Sequence, residues 1–340
     1  MAHIPICLDH DDTRKPCLYY IRDHKPGFCR HKEHYRCIEY IRMKQPILSY
    51  SYLNTYKACL REFLFAWLMG YRLLEPSFNA ETSSIFHGYM AGFYSGLNTH
   101  IIDAEKKLAK LRSRFPEGKV PNEVKCVTGV ANAYYELKKK GIAKIIGKCK
   151  VEQTALEYRE GYAIKNIIDM ILNNGETGYE WKYAKTPDIY GAWTMRLQLM
   201  IYFISRPKLK EVVVRAIKKP QLKQGKNEDE NEFVDRVTKT FKAQRKANII
   251  SNKYYRSEFD LIRGEREIVL ISEQLKQLIE QKDIAAFWQN QNCCYFNGYR
   301  DWTCDFLKCC EADLLPKQLP ELYGKIDIEH KMDTGEEIIR

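Results

Sequence analysis

Two acidic residues and a lysine stand close together in the segment 167–183, which reads IIDMILNNGETGYEWKY. They are Asp169, Glu180 and Lys182. A pair of carboxylates can hold Mg²⁺, a hard cation that prefers carboxylate oxygens together with water and substrate phosphate. A lysine beside that cation can orient or deprotonate an attacking water, or neutralise charge that develops on the phosphate. These residue types therefore indicate a magnesium site that acts on a phosphate.

The dipeptide Asn174-Gly175 indicates how these side chains come together, because both positions tolerate the positive φ of a two-residue hairpin turn. Such a turn joins two strands and fixes their register. Cross-strand partners lie about 5 Å apart at Cβ, and residues two apart on one strand share a face. Asp169, Glu180 and Lys182 are therefore expected on one patch of a sheet. The predicted cross-strand pairs are Asn173–Glu176, Ile171–Gly178, Asp169–Glu180 and Ile167–Lys182.

A surface salt bridge is the alternative interpretation for one acid and one lysine. Asp169, however, lies within the apolar run Ile167, Ile168, Met170 and Ile171. A carboxylate buried there without a partner or a metal would be costly. The context therefore favours a functional site.

The elements that must position this hairpin follow from the hydrophobic periodicity of the chain. Helices dominate the first third, where Ser49 or Ser51 caps a helix that ends near Gly70. From Ile145 the period changes to that of strands, and the tail beyond Cys310 is predicted to be loop. The predicted helices are 49–70, 81–97, 101–114, 122–140, 187–205, 228–246 and 267–286, and the predicted strands are 146–157, 162–173, 178–184 and 211–217.

The predicted helix that begins at Pro187 carries Gln198 and Tyr202 four residues apart. This spacing places the two side chains on adjacent turns of one face. A polar pair on that face could contact a substrate. The alternative interpretation is a glutamine on a mostly apolar helix, with a structural role only.

Together these residues resemble a known motif. Asp169 followed by Glu180-Trp181-Lys182 resembles the PD-(D/E)XK nuclease motif, and Gln198 with Tyr202 resembles the Q-x3-Y motif of its RecB-like branch, where the pair could contact a DNA end or strand. The resemblance runs from about residue 49 to residue 310. It includes the stretch VVRAIKKPQLKQGKNEDENEFVDRV, which is similar to phage and prophage members of the superfamily.

A histidine upstream extends the resemblance. His87, in SSIFHGYM, matches the histidine that RecB-like nucleases add as a metal ligand. A lone histidine on a helix is otherwise more often a core or surface residue. The glycine usual shortly before it is Ser83 or Ser84 here, which is a departure from the pattern. Glu152 occupies a position where this branch often has an acid, and the sequence assigns it no role.

The resemblance implies an α/β (α+β) restriction-endonuclease-like core, with a central mixed sheet flanked by helices. It also implies a metal-dependent deoxyribonuclease that uses Mg²⁺ or Mn²⁺, an exonuclease rather than an endonuclease. The implied mechanism is in-line attack of a metal-activated water on the phosphorus, with Lys182 beside that water. The implied ligands of one or two metal ions are Asp169, Glu180, His87 and the carbonyl of Trp181.

A second feature of the chain is its twelve cysteines, of which five lie between Cys293 and Cys310. Their distribution resembles the four-cysteine iron–sulfur site of CRISPR-associated and helicase-associated RecB-like nucleases, with one ligand before the nuclease core and three after it. Such a site would hold a 4Fe–4S cluster or, as the alternative, zinc. Cys294 is preferred here over Cys293, and Cys310 over Cys309; buried free thiols are the remaining alternative. The implied ligands are Cys59, Cys294, Cys304 and Cys310.

The first 45 residues have little apolar periodicity that could build a core unaided. They carry four cysteines that match no zinc finger with C-x2-C hooks. A coreless segment usually needs a metal, so structural Zn²⁺ is a candidate here. The motifs GFC and RCIEYI resemble the N-terminal extension of some phage members. The candidate ligands are Cys7, Cys17, Cys29 and Cys37, with His24, His31 and His34 as alternatives.

These patterns divide the chain into three parts: an N-terminal Cys/His-rich extension, a nuclease domain and a Cys-rich C-terminal segment that closes the iron–sulfur site with Cys59. The N-terminal residues are too polar for a secretory signal, and the longest apolar stretch, Phe63 to Tyr71, is too short to span a bilayer. A cytoplasmic protein of a bacterium or a phage-infected cell is expected, with no membrane partner. The three parts are residues 1–45, 46–290 and 291–340.

The charge of the chain is consistent with an anionic partner. Fifty-five Lys and Arg against 44 Asp and Glu give a formal charge of +11, although a solvated basic surface would give the same excess. The expected partner is DNA, as ends or single strands, with a helicase, a recombinase or a single-strand-binding protein as a further candidate. Lys218, Lys219 and Lys223 are candidate contacts to the DNA backbone. RNA, a catalytically inactive nucleic-acid-binding module and a zinc-stabilised interaction protein remain open alternatives.

Overall fold

The computed structural model describes residues 47–75, 78–116, 118–142, 145, 147–159, 162–190, 192–281, 287, 304–312 and 314–325. Within these residues, six strands form one mixed sheet and helices pack on both of its faces. This architecture confirms the predicted α/β fold with a central mixed sheet. The predicted N-terminal zinc site, with Cys7, Cys17, Cys29 and Cys37, lies outside the described residues, and so does Cys294.

The elements are numbered in chain order. The strands are β1 (Ile47–Leu48), β2 (Tyr71–Leu73), β3 (Cys149–Arg159), β4 (Tyr162–Leu172), β5 (Thr177–Ala184), β6 (Glu211–Lys218), β7 (Ile249–Tyr255) and β8 (Tyr323–Lys325). The helices are α1 (Tyr50–Ala58), α2 (Leu60–Phe63), α3 (Phe78–Ser95), α4 (Asn98–Arg112), α5 (Asn122–Lys139), α6 (Ala192–Ser205), α7 (Glu230–Ala243), α8 (Arg245–Asn248), α9 (Glu258–Gln281) and α10 (Leu307–Ala312).

The long helices and strands confirm the periodicity of the sequence. Ser49 caps α1 as predicted, because its hydroxyl oxygen accepts the backbone N–H of Tyr52 at 3.2 Å. The predicted single helix to Gly70 is instead interrupted at Cys59, whose backbone is extended (φ −158°), and α2 continues as a π-helix over Leu64–Leu68. The short strands β1, β2 and β8 and the strand β7 were not predicted.

The strand β4 organises the sheet. Along one edge it pairs antiparallel with β3 over almost its whole length. Its other edge is shared: β1 pairs there with residues 163–164, and β5 pairs with residues 170–171. Among the described strands, none pairs with residues 165–169 on this second edge. The sheet therefore opens between β1 and β5, at the point that carries Asp169.

The β4–β5 hairpin has the predicted register where it is paired, since Ile171 pairs with Gly178. The predicted pairs Asp169–Glu180 and Ile167–Lys182 are not formed, because the two strands diverge beyond the Met170–Tyr179 pair.

The turn itself differs from the prediction. Gly175 has a positive φ of 74°, but Asn174 is not among the described residues with a positive φ, so this is not a turn with two left-handed positions. Asn174 instead accepts the backbone N–H of Glu176 on its side-chain oxygen at 3.0 Å. The asparagine thus stabilises the turn through its side chain.

The chain's C-terminal segment packs into the same core as α1 and α6. Phe306 lies 5.4 Å from the ring of Phe65, measured between centroids, and stacks on Tyr323 at 5.2 Å. The strand β8 pairs antiparallel with β2. The prediction that the tail beyond Cys310 is loop was therefore wrong for part of its length, because these contacts give it regular structure.

A second core cluster fills the opposite face of the sheet, under α3, α5 and α7. Here Trp181 and Met170 project from the sheet toward the helices, while Ile168, two residues before Met170, packs into the first cluster. The alternation of β4 is therefore interrupted around Asp169. None of the described helices is long and apolar enough to cross a membrane.

Close packing of α5 on α7 supports this second cluster, and it generates a testable expectation. A Cβ atom added to Gly129 would lie 2.7 Å from Val237 Cγ1 and 3.0 Å from the Val234 carbonyl oxygen. We expect Gly129→Ala to lower the free energy of unfolding by about 1–3 kcal/mol through overpacking, as measured by urea denaturation. Asn132→Ala, on an exposed position of α5, is the matched control. Equal stability of the two variants would contradict the close approach of the helices.

Candidate active site

Four elements meet at the opening of the sheet. The strand β4 contributes Asp169, β5 contributes Glu180 and Lys182, and α6 contributes Gln198 and Tyr202. His87 reaches the same place from α3. The structure therefore brings together all the side chains that the motif analysis predicted for the catalytic centre.

Glu180 is the centre of this cluster. Its side chain is only 4 % exposed, and three donors surround it. Its Oε1 accepts from Lys182 Nζ at 2.7 Å and from Gln198 Nε2 at 2.7 Å, and its Oε2 accepts from the Tyr202 hydroxyl at 2.7 Å. A buried carboxylate requires such partners, because it loses its hydration on folding. The Q-x3-Y pair of α6 therefore directly solvates the glutamate of the E-x-K motif.

The same donors are linked to one another and to the sheet. Lys182 Nζ also donates to Gln198 Oε1 at 3.0 Å, and Gln198 Nε2 lies 2.6 Å from the Tyr202 hydroxyl oxygen. The Tyr202 hydroxyl is also 3.0 Å from the carbonyl oxygen of Ile167, on the unpaired edge of β4. The cluster thus fastens α6 to the sheet at its opening.

Asp169 binds a separate pair of donors. Its Oδ1 lies 3.0 Å from His87 Nδ1, and its Oδ2 accepts the backbone N–H of Trp181 at 2.7 Å. The second contact crosses from β4 to β5 just beyond their last paired residues. The carboxylate therefore replaces a backbone bond of the ladder and fixes the separation of the two strands.

The environment shifts the pKa values of these groups in opposite directions. Burial favours the neutral form of Asp169, but His87, Lys182 and the Trp181 N–H together hold the pKa of Asp169 below its usual value. Burial, and then the negative charge of Asp169, raise the pKa of Glu180. Burial opposes the charged forms of His87 and Lys182, yet Asp169 raises the pKa of His87 and Glu180 raises that of Lys182. Two carboxylates of differing acidity therefore share one site with a lysine and a histidine.

Trp181 lies between the two motif residues of β5, and its side chain contacts a network of tyrosine hydroxyl groups. Its indole Nε1 lies 3.5 Å from the Tyr134 hydroxyl, which also accepts from Arg215 Nη1 at 2.8 Å. The hydroxyls of Tyr94 and Tyr134 are 3.1 Å apart, and the Tyr94 ring stacks on the indole. Since the backbone N–H of Trp181 holds Asp169, this network positions the aspartate indirectly.

The donor chemistry of the site suits a divalent cation. Asp169, Glu180 and a main-chain carbonyl are the hard oxygen ligands that Mg²⁺ and Mn²⁺ prefer, and imidazole is an acceptable fourth ligand for Mn²⁺. Within the part of the chain that the structure describes, however, no three such side chains stand together at ligand spacing. The reason is that each carboxylate is turned toward protein donors. Holding a cation requires them to exchange part of those hydrogen bonds.

One candidate DNA contact is excluded by the geometry. Lys219 is 5 % exposed and donates to Thr82 Oγ1 at 3.1 Å and to the Asn79 carbonyl oxygen at 3.1 Å. Burial, and then the charge of Lys185, lower the pKa of Lys219 to about 8. The prediction that Lys219 binds the DNA backbone was therefore wrong, since it fastens β6 to the start of α3. Lys218 and Lys223 are exposed.

Several residues near the site were not assigned a role by the motifs. Glu152 has a left-handed backbone (φ 47°) in β3, within the stretch that pairs with β4 around Asp169, and its carboxylate lies 3.6 Å from His100 Nδ1. Tyr50, at the start of α1, interacts electrostatically with Lys182. A non-glycine residue with positive φ is uncommon. Nothing local in the sequence indicates either placement, because both arise from contacts between distant segments.

Of the predicted iron–sulfur ligands, Cys59, Cys304 and Cys310 lie within the described residues. Among those residues, no three His, Cys, Asp or Glu side chains stand together as a metal site. Cys59 stands at the break between α1 and α2, and the thiol of Cys304 lies 3.8 Å from Glu62 Oε2, one turn after Cys59. Cys309 is fully buried; burial raises its pKa, while a hydrogen bond with Tyr323 acts in the other direction. Cys310 is less buried. The choice of Cys310 over Cys309 as a ligand stays a prediction.

A comparison with protein families identifies the same region of the chain. A family model described as the PD-(D/E)XK nuclease superfamily matches residues 47–311. This span contains every residue of the site described above. No curated protein sequence matches the chain.

Solved structures give more distant likenesses. The crystal structure of a "putative exonuclease" from Eubacterium rectale matches with a TM-score of 0.47 and 10 % sequence identity, over 79 % of this chain and 92 % of that chain. The crystal structure of a protein named SSO0001 matches with a TM-score of 0.25 and 13 % identity, over 55 % and 74 %. At these levels of similarity, neither structure indicates what this chain does.

The hydrogen bonds of Glu180 lead to a prediction about stability. Tyr202→Phe removes one donor from a buried carboxylate, and an unsatisfied buried group costs about 1–3 kcal/mol. We therefore expect this variant to lose that much free energy of unfolding at neutral pH, as measured by urea denaturation with the wild type alongside. Tyr255→Phe, on a side chain 66 % exposed, is the control and should be neutral. If Tyr202→Phe is equally neutral, the hydroxyl does not solvate Glu180.

Proposed function

This chain belongs to the PD-(D/E)XK nuclease superfamily, and from that premise we propose that it is a metal-dependent deoxyribonuclease, specifically an exonuclease of the RecB-like branch. The observation that carries the proposal is the cluster in which Glu180 accepts hydrogen bonds from Lys182, Gln198 and Tyr202. It joins the E-x-K residues of the nuclease motif to the Q-x3-Y residues that resemble the RecB-like branch. The likeness to phage and prophage members also belongs to this proposal.

A divalent cation is part of the proposed activity, since nucleases of this superfamily typically use Mg²⁺ or Mn²⁺. The residues that would hold it are Asp169, Glu180, His87 and the carbonyl of Trp181. When bound, such an ion polarises the scissile phosphate and lowers the pKa of a coordinated water.

The protein's own residues supply orientation and charge. Lys182 places an ammonium group beside both carboxylates, where negative charge develops during attack on a phosphate. Gln198 and Tyr202 hold the Glu180 carboxylate in one orientation, because each donates to it directly. His87 and the Trp181 N–H hold Asp169 in the same way. Both carboxylates are thus held at the site by defined partners, some of which they would exchange on taking up a cation.

The proposed substrate is DNA, entered from an end or as a single strand. The positive charge of the chain supports a polyanionic partner, and the exposed Lys218 and Lys223 are retained as backbone contacts. The open edge of β4 supports access to the site by one strand at a time. A helicase, a recombinase or a single-strand-binding protein would generate or present such a strand.

We also propose that a 4Fe–4S cluster links Cys59, Cys294, Cys304 and Cys310, with zinc as the alternative metal. Supporting this proposal, α1 and α2 are interrupted at Cys59 and followed by a π-helical turn, an irregularity often found at functional sites. The segment that carries Cys304 and Cys310 packs on the same part of the core. The cluster would therefore reinforce an existing junction between the two ends of the domain. Zinc at the N-terminal cysteines is retained as a proposal.

The nuclease proposal is tested with the variant Lys182→Ala. With Mg²⁺ or Mn²⁺, we expect the wild type to degrade linear DNA and the variant to lose at least about 100-fold in rate, the magnitude typical of removing one charge-stabilising group. Single- and double-stranded substrates in linear and circular form should be compared, with products resolved on gels. Loss of linear substrate alone identifies an exonuclease.

The control for that experiment is Lys208→Ala. Lys208 is exposed and lies between α6 and β6, next to Gly175 in the turn of the β4–β5 hairpin. The variant should keep wild-type activity. Cleavage that persists in Lys182→Ala would refute the assigned site. Absence of cleavage by folded, fully metallated wild type on every substrate would leave a nucleic-acid-binding module in place of the nuclease.

The metal proposal is tested by the colour and metal content of protein purified anaerobically. We expect the wild type to carry iron and sulfide, and Cys59→Ser, Cys304→Ser and Cys310→Ser each to lose them. Cys309→Ser should retain iron, because Cys310 rather than Cys309 is the proposed ligand, and Cys126→Ser is a second buried control. Zinc in place of iron would establish the alternative metal. Iron retained in Cys310→Ser but lost in Cys309→Ser would reverse the assignment.

A further inference from the structure

Arg215 lies in β6 beside Trp181, which is its register partner in the parallel ladder of β5 and β6. The residue is half-buried, and among the described residues it forms no ion pair with a carboxylate. Its hydrogen bonds go instead to two hydroxyl groups, from Nη1 to Tyr134 at 2.8 Å and from Nε to Ser251 at 3.3 Å. A guanidinium removed from water needs such partners. The cation is therefore held by a hydroxyl network and not by a salt bridge.

The Tyr134 hydroxyl connects this cation to the active-site strand. The Tyr134 side chain is fully buried. Arg215 Nη1 and the Trp181 indole Nε1, which lies 3.5 Å away, can only donate to its oxygen. Both lone pairs are then occupied, so Tyr134 donates its own proton to the Tyr94 hydroxyl at 3.1 Å. Arg215 thus fixes the direction of the network and leaves the second lone pair to the indole.

Two tyrosine rings link the indole of Trp181 to the same cation. The Tyr94 ring stacks on the indole at 5.2 Å between centroids, and the Tyr179 ring lies at 6.3 Å, with angles of 28° and 24° between the planes. The Arg215 guanidinium lies 5.7 Å from the centroid of the Tyr179 ring, at the distance of a cation–π contact. Arg215 therefore holds the indole by two routes, through Tyr134 and through Tyr179.

The main chain of Trp181 depends on this support because it lies where β5 has lost its pairing with β4. The last pair is Met170–Tyr179. Beyond it, the Trp181 N–H donates to Asp169 Oδ2 at 2.7 Å. The carbonyl of Trp181 is itself a proposed ligand of the cation. A rotation of this one residue would therefore displace two of the proposed ligands, the Asp169 carboxylate and the Trp181 carbonyl.

We propose that Arg215 and Tyr134 are positioning residues that set the affinity of the site for its divalent cation, acting through Trp181. The inference rests on the proposed nuclease function, because the cation is the one that the same site would hold. Partners that orient metal ligands from behind typically change metal affinity or activity 10- to 100-fold when they are mutated. Glu180 has its own donors in β5 and α6, so loss of the network weakens cation binding more than it slows the reaction at saturating cation.

The first experiment measures Mn²⁺ binding to the full chain without DNA, by electron paramagnetic resonance of the free ion. Binding that is lost in Asp169→Asn identifies this site. We expect Tyr134→Phe and Arg215→Met each to raise the Mn²⁺ dissociation constant about tenfold. In cleavage of linear DNA, the Mn²⁺ concentration for half-maximal rate should rise by a similar factor, while the rate at saturating Mn²⁺ stays close to that of the wild type. A variant that only folds poorly would lose rate at every Mn²⁺ concentration.

The matched controls remove the same kinds of group nearby. Tyr183→Phe removes a hydroxyl of β5 that is also buried but has no hydrogen-bond partner within the described parts of the chain. Lys253→Met removes a positive charge of β7 that acts on Tyr179 and pairs with Glu211. Both controls should bind Mn²⁺ as tightly as the wild type. An equal loss of affinity in Tyr183→Phe and Tyr134→Phe would overturn the assignment of the Tyr134 hydroxyl.

Nuclear magnetic resonance of protein labelled with ¹⁵N-tryptophan tests the same network without cation or DNA. The signals of Trp181 are assigned from Trp181→Phe. Tyr134→Phe should shift both the indole N–H and the backbone N–H of Trp181, and Asp169→Asn should shift the backbone N–H. A shift of the indole signal alone in Tyr134→Phe would show that the network does not reach Asp169, and it would overturn the inference.

The outcomes separate this inference from the nuclease proposal. If the wild type cleaves DNA and both Tyr134→Phe and Arg215→Met bind Mn²⁺ with unchanged affinity, the inference is overturned and the nuclease stands. If the wild type binds Mn²⁺ but cleaves no substrate, a tenfold loss of affinity in both variants supports the inference and refutes the nuclease. If the wild type binds no Mn²⁺ that depends on Asp169, both proposals fail.

Discussion

The carboxylate of Glu180 is the constraint on which the rest of the site depends. It is almost completely removed from water, and a charge in that position is tolerated only where donors replace its hydration. Those donors come from two elements, β5 and α6. The helix must therefore pack on the strand in one orientation and at one position along its axis. Breaking a buried charged contact of this kind typically costs about 3–5 kcal/mol. The need to solvate one glutamate therefore adds a constraint on the orientation of α6 to the apolar packing beneath it.

The same packing requires the sheet to open. β5 diverges from β4 beyond the Met170–Tyr179 pair. The carboxylate of Asp169 therefore accepts the backbone N–H of Trp181, and the Tyr202 hydroxyl lies within hydrogen-bond distance of the Ile167 carbonyl oxygen. Side chains thus replace the missing ladder bonds, and the backbone groups remain satisfied. An open sheet edge would normally expose unpaired groups to other chains. Here it becomes the floor of a cleft, adjacent to the carboxylates.

The two ends of the described domain meet on one side of this site. The C-terminal segment packs Phe306 on Phe65, in the π-helical turn that follows α2, and pairs β8 with β2. A wall of the cleft therefore depends on residues far apart in the sequence. A metal cluster at Cys59 and Cys304 would reinforce this junction without being the only contact that forms it. Stability of the junction and access to the site are therefore coupled through the same helices.

The sequence by itself determined most of the long helices and strands and the identity of the motif residues. The hairpin register followed from Asn174-Gly175 and the apolar pattern, and the motif residues Asp169, Glu180, Lys182, Gln198 and Tyr202 followed from their types and spacing. These features are local, so a single chain segment carries enough information to specify them. The predicted turn geometry at Asn174 was wrong, because several turn types share one register.

Only the tertiary structure decided which groups face one another across the site. The pairing of His87 with Asp169, the burial of Lys219 and the cleft between Tyr50 and Trp67 all join segments that are distant in the chain. No periodicity records such contacts, because they depend on how far β5 departs from β4 and where α1 enters the sheet. β1 has two residues, too few to show alternation, yet its position fixes one end of the opening. The sequence therefore specified the motif residues, and packing around a buried carboxylate specified how they lie relative to one another.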